Sequence, residues 1–291
     1  MPARCTIGVD IGTSSSKGVL VDAHGEILAS ATVAHDVQRP RTGWVEMDGR
    51  IWWAEFVQLT RELLAAASAS QLEVEIAAVG VSGMGPCVLL ADDADEPVRP
   101  AILYGVDTRA TAQIDRMTDE LGVAEITRVG GSTLTTQAGG PKIVWIADEE
   151  PAAYAAARRL FMPASWLARH LTGAYVLDHQ SASQVSPLYD VEREEWHADN
   201  WARYAPGIEA PRLLWAGDIA GQVTDAAAAA TGLPAGIPVI AGTIDAWSEA
   251  VSVGAHEFGD LMLMYGTTMF LVATGTETLR TPSMWTTVGA F

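Results

Sequence analysis

The chain has 291 residues, 49% of them hydrophobic, and carries 18 basic against 36 acidic side chains for a net charge of −18. Without any basic stripe, that charge excludes a nucleic-acid or anionic-membrane surface. A polyanion site would have to work locally, through backbone amides, one or two cations and bound metal. Cys5 and Cys87 are the only cysteines, no apolar run approaches the ~18 residues of a membrane span, and the N-terminus lacks a signal-peptide core. A reduced, cytoplasmic protein is expected. The scattered histidines form no H-x-x-x-H or H-E-x-x-H pattern, and no zinc is expected.

The stretch Thr6–Asp22, TIGVDIGTSSSKGVLVD, sets two short apolar runs around Gly12, four hydroxyl residues and Lys17. It reads as a β-hairpin with a hydroxyl-rich turn. Ser16 stands where a P-loop has its Gly, and Gly8, Gly12 and Gly18 lie too far apart for a dinucleotide fingerprint. What remains is a turn whose amides and hydroxyls can face phosphate oxygens, with Lys17 adding charge and Asp10 placed to hold hydrated Mg²⁺. An ordinary Ser-rich turn accounts for the loop chemistry equally well.

After a turn at 23–26, Ile27–Val33 completes an antiparallel meander. A helix beginning near Asp48 carries Trp52, Trp53, Phe56, Leu59, Leu63 and Leu64 on helical spacing, a core face. Ile76–Val81 reads as a strand broken by Ser82–Pro86, and Cys87–Leu90 as another. Gly80–Gly83 begins like a nucleophile elbow, but Met84 fills its last Gly position, which rejects a serine hydrolase. A small-residue bend that lets a ligand approach the backbone is the better reading. Helices are expected over Ala110–Leu121, Lys142–Ala147 and Pro163–Leu171, with Gly130–Gly140 as a long loop, and an Ala run at 226–230 closes another helix stopped by Gly232.

Ile237–Ala241 reads as a buried strand leading through Gly242-Thr243-Ile244 to Asp245 and a helix over Ala246–Val253. Asp245 thus falls at a helix N-terminus, where a cap is the simplest role. Leu261–Tyr265, the turn Gly266-Thr267-Thr268 and Met269–Thr274 repeat the opening hairpin and suggest a duplicated architecture.

Taken in order, GVDIGTSSSKGVLVD, PAILYGVDTRA, GGPKIVWI, HLTGAYVLDHQSAS, PVIAGTIDAWSEAVSVG and YGTTMF resemble the FGGY family of carbohydrate kinases, within the superfamily of actin, hexokinase and the heat-shock ATPases. The resemblance implies an α/β, ribonuclease-H-like mixed sheet with helices on both faces. It implies a sugar-binding domain over 1–253 and, over 254–291, the first hairpin of a second, ATP-binding domain. ATP and Mg²⁺ are the implied cofactors, and a sugar, such as a ketose, or a polyol the implied acceptor. Carried over by residue, Asp10 would coordinate Mg²⁺ through water, and Gly12, Thr13, Ser14, Ser15 and Lys17 would face the ATP phosphates, with Gly266 and Thr267 doing so from the second hairpin. Asp245 matches the catalytic base, kept ionised by its helix terminus.

Met84, Gly85, Tyr104, Asp107 and Gln137 fall on the sugar side, as ligand-facing or supporting residues. Where xylulokinase-like members have a Met-His pair, Gly85 here follows Met84, so an imidazole is missing; the charged pair of glycerol kinases is absent as well. Because the chain stops soon after the second hairpin, it is expected to be a fragment, inactive or nearly so alone. A non-catalytic sugar- or nucleotide-sensing module of the same fold is the competing expectation, and a homo-oligomer is left open.

Overall fold

The computed structural model describes residues 2–265, 269–281 and 284–290. Strands β1 (Ala3–Ile11), β2 (Ser15–Asp22) and β3 (Ile27–Ala34) form the expected meander, with Asp10 opposite Lys17 across the first hairpin. Strict alternation sends Cys5, Ile7, Val9 and Ile11 inward from β1, and Ser16, Gly18 and Leu20 from β2. After the short β4 (Glu46–Met47), helix α1 (Gly49–Ala69) starts at Asp48, whose side chain accepts from the Arg50 amide. Its buried face, Trp52, Phe56, Leu59 and Leu63, packs on this meander at Gly18, where a Cβ would stand 3.1 Å from Leu63 Cδ1.

Strand β5 (Val74–Gly83) runs parallel to β1. It continues through Ser82 and Gly83, so the break begins at Met84 rather than Ser82; pairing with β1 on one side and a later strand on the other extends it. Strands β6 (Leu89–Ala91) and β7 (Ala101–Ile102) lead into helices α2 (Thr111–Leu121), α3 (Val123–Gly130), α4 (Gly139–Glu149) and α5 (Pro151–Ala156). Helix α4 starts three residues before the Lys142 expected from sequence. Gly139 and Gly140 belong to it because they press against residues 184–188, and a Cβ on Gly140 would meet the Ser186 carbonyl at 2.5 Å. Pro141 fits in the first turn, where no intrahelical partner is needed for its missing N–H.

Strand β8 (Arg159–Phe161), α6 (Pro163–Thr172), β9 (Val176–Asp178), α7 (His179–Ser183), β10 (Tyr189–Asp190), β11 (Glu195–Trp196), α8 (Ala198–Tyr204) and β12 (Arg212–Leu214) follow. With α2 to α4 they enclose a second core around Ile102, Ile143, Leu160 and Tyr189. The main core lies between the large sheet, α1 and α6.

Strand β13 (Ile219–Gln222), α9 (Asp225–Thr231), β14 (Pro238–Ile240), β15 (Thr243–Ile244) and α10 (Asp245–Ser252) return the chain to the sheet. Its order is β13-β14-β5-β1-β2-β3, with β15 also on β5. Strands β1, β5 and β14 are mutually parallel and β2 is antiparallel, the mixed sheet expected of a ribonuclease-H-like fold. Strands β16 (Leu261–Tyr265) and β17 (Met269–Ala273) pair antiparallel in a separate sheet. No helix among the described residues is long and apolar enough to cross a membrane.

Candidate active site

The parallel strands end together, and the site lies at their C-terminal ends, where open α/β sheets place ligands. Ser82 of β5 has Asp10 as its neighbour in β1 and Thr243 as its neighbour in β15. Adjacent strands are ~4.8 Å apart, and β5 is the one strand between the Asp10 strand and the strand that delivers Asp245. Ser82 Oγ donates to Asp10 Oδ1 at 2.8 Å. A cleft of about 330 Å³ opens here, lined by Asp10, Lys17, Ser82 and Ser248 with Val9 and Ile240.

Asp245 is the first residue of α10; the cap position is Ile244, and the Asp245 carboxylate accepts from the next amide, Ala246, at 2.8 Å. The helix terminus does not keep it fully ionised. Burial, then the charges of Asp10 and Glu249, push its carboxyl up to about 7, against the lowering effect of the Ala246 amide. Asp10 is raised too, by burial, while the Ser82 hydroxyl and Lys17 oppose the shift. Glu249 stands one helical turn after Asp245, and its carboxyl is raised by burial and by Asp10. Sequence reasoning missed it, although the i, i+4 spacing from Asp245 was a usable signal. Strand β15 is held from behind by Thr243, whose hydroxyl donates to the buried Asp178 carboxylate at 2.8 Å and lies 3.2 Å from Gln180 Oε1.

The first hairpin turn is tight: the Gly12 amide donates to the Ser15 carbonyl at 3.1 Å. Among the described residues the Thr13 and Ser14 amides have no acceptor, a configuration suited to an anion. Thr13 Oγ1 lies 3.0 Å from the Tyr104 hydroxyl, which ties this turn to the loop after β7. Lys17 is exposed and makes no hydrogen bond or ion pair among the described residues. Gly266 and Thr267, expected at the second turn, lie outside the described residues.

The sequence model of the FGGY family of carbohydrate kinases, N-terminal domain, matches residues 5–252. The chain belongs to the FGGY family of carbohydrate kinases. It is 28% identical over 262 residues to a xylulose kinase of Klebsiella pneumoniae, covering 90% of this chain and 52% of that one. It is 32% identical over 287 residues to a glycerol kinase of Nocardia farcinica, covering 94% and 54%. The crystal structure of xylulose kinase from Rhodospirillum rubrum superposes with a TM-score of 0.91 at 28% identity, covering 97% of this chain and 57% of that one. This FGGY chain therefore spans about half the length of the curated relatives it matches.

In the loops after β7 and α3 of this FGGY chain, Tyr104 and Gln137 are partly exposed, and Gln137 Oε1 accepts from the Gly105 amide at 2.8 Å. Thr136 Oγ1 donates to the Gly105 carbonyl at 3.0 Å, and the buried Lys142 ammonium donates to the Thr136 carbonyl at 2.7 Å. Lys142, in the GGPKIVWI block, thus anchors the loop that grips Gly105; burial lowers it to about 8. Two expected residues offer no side chain to a ligand. Met84 is fully enclosed in the main core. The Asp107 side chain is likewise closed off, its oxygens taken by the Val45 amide at 2.6 Å and by the guanidinium of Arg109. Arg109 in turn reaches Glu46 and stacks over Trp44 at 4.2 Å, so Asp107 supports the wall of the site. Gly85 accounts for the missing imidazole: a Cβ there would come within 2.5 Å of Ile244 Cδ1, so Ile244, beside Asp245, occupies the space any larger residue would need.

Proposed function

We propose that this chain is the sugar-side half of an ATP-dependent carbohydrate kinase, acting on a ketose or a polyol, with residues 1–253 as the acceptor-binding domain and 254–291 opening the ATP-side domain. The observation that carries this reading is the pair of half-buried carboxylates, Asp10 on β1 and Asp245 directly after β15, which lie on either side of β5 and are each raised by their surroundings. A phosphoryl acceptor needs a base within reach of its hydroxyl and a cradle for the phosphates nearby. Asp245 fits the base: a carboxyl that titrates near neutrality can accept the hydroxyl proton in the direction of transfer and release it afterwards. The open amides of Thr13 and Ser14, with Lys17, fit the phosphates.

Asp10 fits a hydrated Mg²⁺. One oxygen is held by Ser82, among the described residues the other makes no hydrogen bond, and Mg²⁺ commonly keeps several waters while taking one or two carboxylates plus phosphate oxygens. Bound there, the metal would neutralise phosphate charge. Tyr104 and Gln137 would orient the acceptor, and the enclosed Asp107 and Arg109 keep their loop in place.

The test is a phosphotransfer screen over ketoses and polyols, using the protein that spans the full length of its relatives, with Asp245→Asn beside wild type. General-base loss predicts a fall in kcat of about 10² to 10⁴-fold with nucleotide binding retained. Turnover of Asp245→Asn within a few-fold of wild type refutes the role of Asp245, and no transfer to any ketose or polyol refutes the kinase reading.

A further inference from the structure

Beneath the phosphate turn lies a buried polar group that the proposed chemistry does not use. His35, directly after β3, holds the turn twice: its backbone N–H donates to the Ser14 carbonyl at 3.1 Å, and its Nε2 lies 3.0 Å from the Gly12 carbonyl. On the opposite edge of the ring, Nδ1 lies 2.9 and 3.1 Å from the two oxygens of Glu55 on α1. Glu55 also accepts from the hydroxyl of Ser16, the enclosed residue between Ser15 and Lys17, at 2.5 Å. The side chains of His35 and Glu55 are only 6% and 9% exposed, so water does not substitute for these contacts.

We infer that His35, braced by Glu55, is a positioning residue that sets the direction of the turn amides for phosphate. The peptide bond supplies the lever. In a planar trans peptide the carbonyl and the following N–H point in opposite directions. Tying the Gly12 carbonyl inward to His35 therefore fixes the Thr13 N–H outward, and the Thr13 N–H is one of the two turn amides without an acceptor among the described residues. A carbonyl oxygen can only accept, so Nε2 is the nitrogen that donates to Gly12, while Nδ1 shares a hydrogen bond with the Glu55 carboxyl. Ser16 and α1 fix Glu55 in turn, so the geometry of the turn is set from the helix behind the sheet.

This rests on the turn being a phosphate site, and the experiment separates the two claims. Backbone amide NMR of this chain, free and titrated with Mg·ATP, is compared with Glu55→Gln and His35→Gln, together with imidazole ¹⁵N spectra at about pH 7. The expected result is a His35 ring with a hydrogen on Nε2 in wild type, displaced Thr13 and Ser14 amide signals in both free variants, and Mg·ATP binding weakened about fivefold to tenfold, the scale of one lost hydrogen bond. If the turn amides respond to Mg·ATP equally in wild type and variants, the positioning role is overturned while the phosphate site stands. Should the wild-type turn not respond at all, the phosphate reading falls and this inference falls with it. A ring with no hydrogen on Nε2 overturns the tie to the Gly12 carbonyl. Where His35→Gln does not fold, the isosteric Glu55→Gln decides the same question, because loss of the carboxyl that braces Nδ1 changes the ring's ¹⁵N signals without removing the ring.

Discussion

Replacing Asp245 with Asn should make the protein more stable at alkaline pH and leave it unchanged in acid. The native carboxyl is pushed up to about 7 from an ordinary 3.8, so the folded state holds its proton where the unfolded chain has released it. Below about pH 4 both states are protonated and the group is neutral in its effect. As pH rises from about 4 to about 7, the unfolded chain loses the proton first and stability declines; above about 7 the decline is complete. A gap of about three pH units at about 1.4 kcal/mol each sets a ceiling of about 4 kcal/mol. Asp245→Asn keeps an oxygen for the Ala246 amide and removes the charge, so it should gain about 2 to 4 kcal/mol at about pH 8. Urea unfolding at several pH values checks this, with equal m-values showing that stability alone has changed. A gain that does not vary with pH, or no gain at about pH 8, refutes the argument that a buried charge is what the site maintains against stability.

Two further outcomes follow from packing and buried charge. Gly85→Ala should cost about 1 to 3 kcal/mol through its collision with Ile244, and combining it with Ile244→Ala should cost less than the sum of the two changes; strict additivity in urea unfolding would exclude the clash. Glu46→Gln removes the buried partner of both Arg99 and Arg109, and should cost about 3 kcal/mol. A loss below about 1 kcal/mol in the same assay would mean that the guanidinium groups are satisfied elsewhere.

The parts of the fold that are local in sequence were legible. The first hairpin, the face of α1 and helices α2, α4, α6, α9 and α10 follow from alternation, helical spacing and caps, whereas α3, α5, α7 and α8 were not expected, and the recurrence of a second hairpin drew attention to Asp245. What escaped is long-range. The enclosure of Met84, the capture of Asp107 by Arg109 and the His35 brace join residues from separate elements, and no spacing rule brings them together. The ionisation of Asp245 was misread for a related reason. Its position at a helix start is visible in the sequence and favours the charged form, but desolvation and the nearness of Asp10 exist only once β1, β5 and β15 lie side by side. Gly85 carries the reverse lesson: its departure from the Met-His pattern is plain in sequence, while its cause, Ile244 across the gap, is not.

The charges of the site explain how so acidic a protein could accept a nucleotide. Burial raises the carboxyls of Asp10, Asp245 and Glu249, the charge of Asp10 raises those of Asp245 and Glu249 further, and Lys17 is the cation that opposes the shift at Asp10 and Glu249. A free triphosphate entering that field would be repelled, whereas a triphosphate already neutralised by a divalent cation would relieve the repulsion around Asp10. Relief at Asp10 would also reach Asp245, because Asp10 is the charge that raises it most after burial. The proposed metal and the proposed base are thereby linked: a cation beside Asp10 draws the Asp245 proton equilibrium toward the carboxylate. The proposed base would then become available when the proposed phosphoryl donor is in place, and in its absence the same residue would stay partly protonated and the empty site would keep more of its stability.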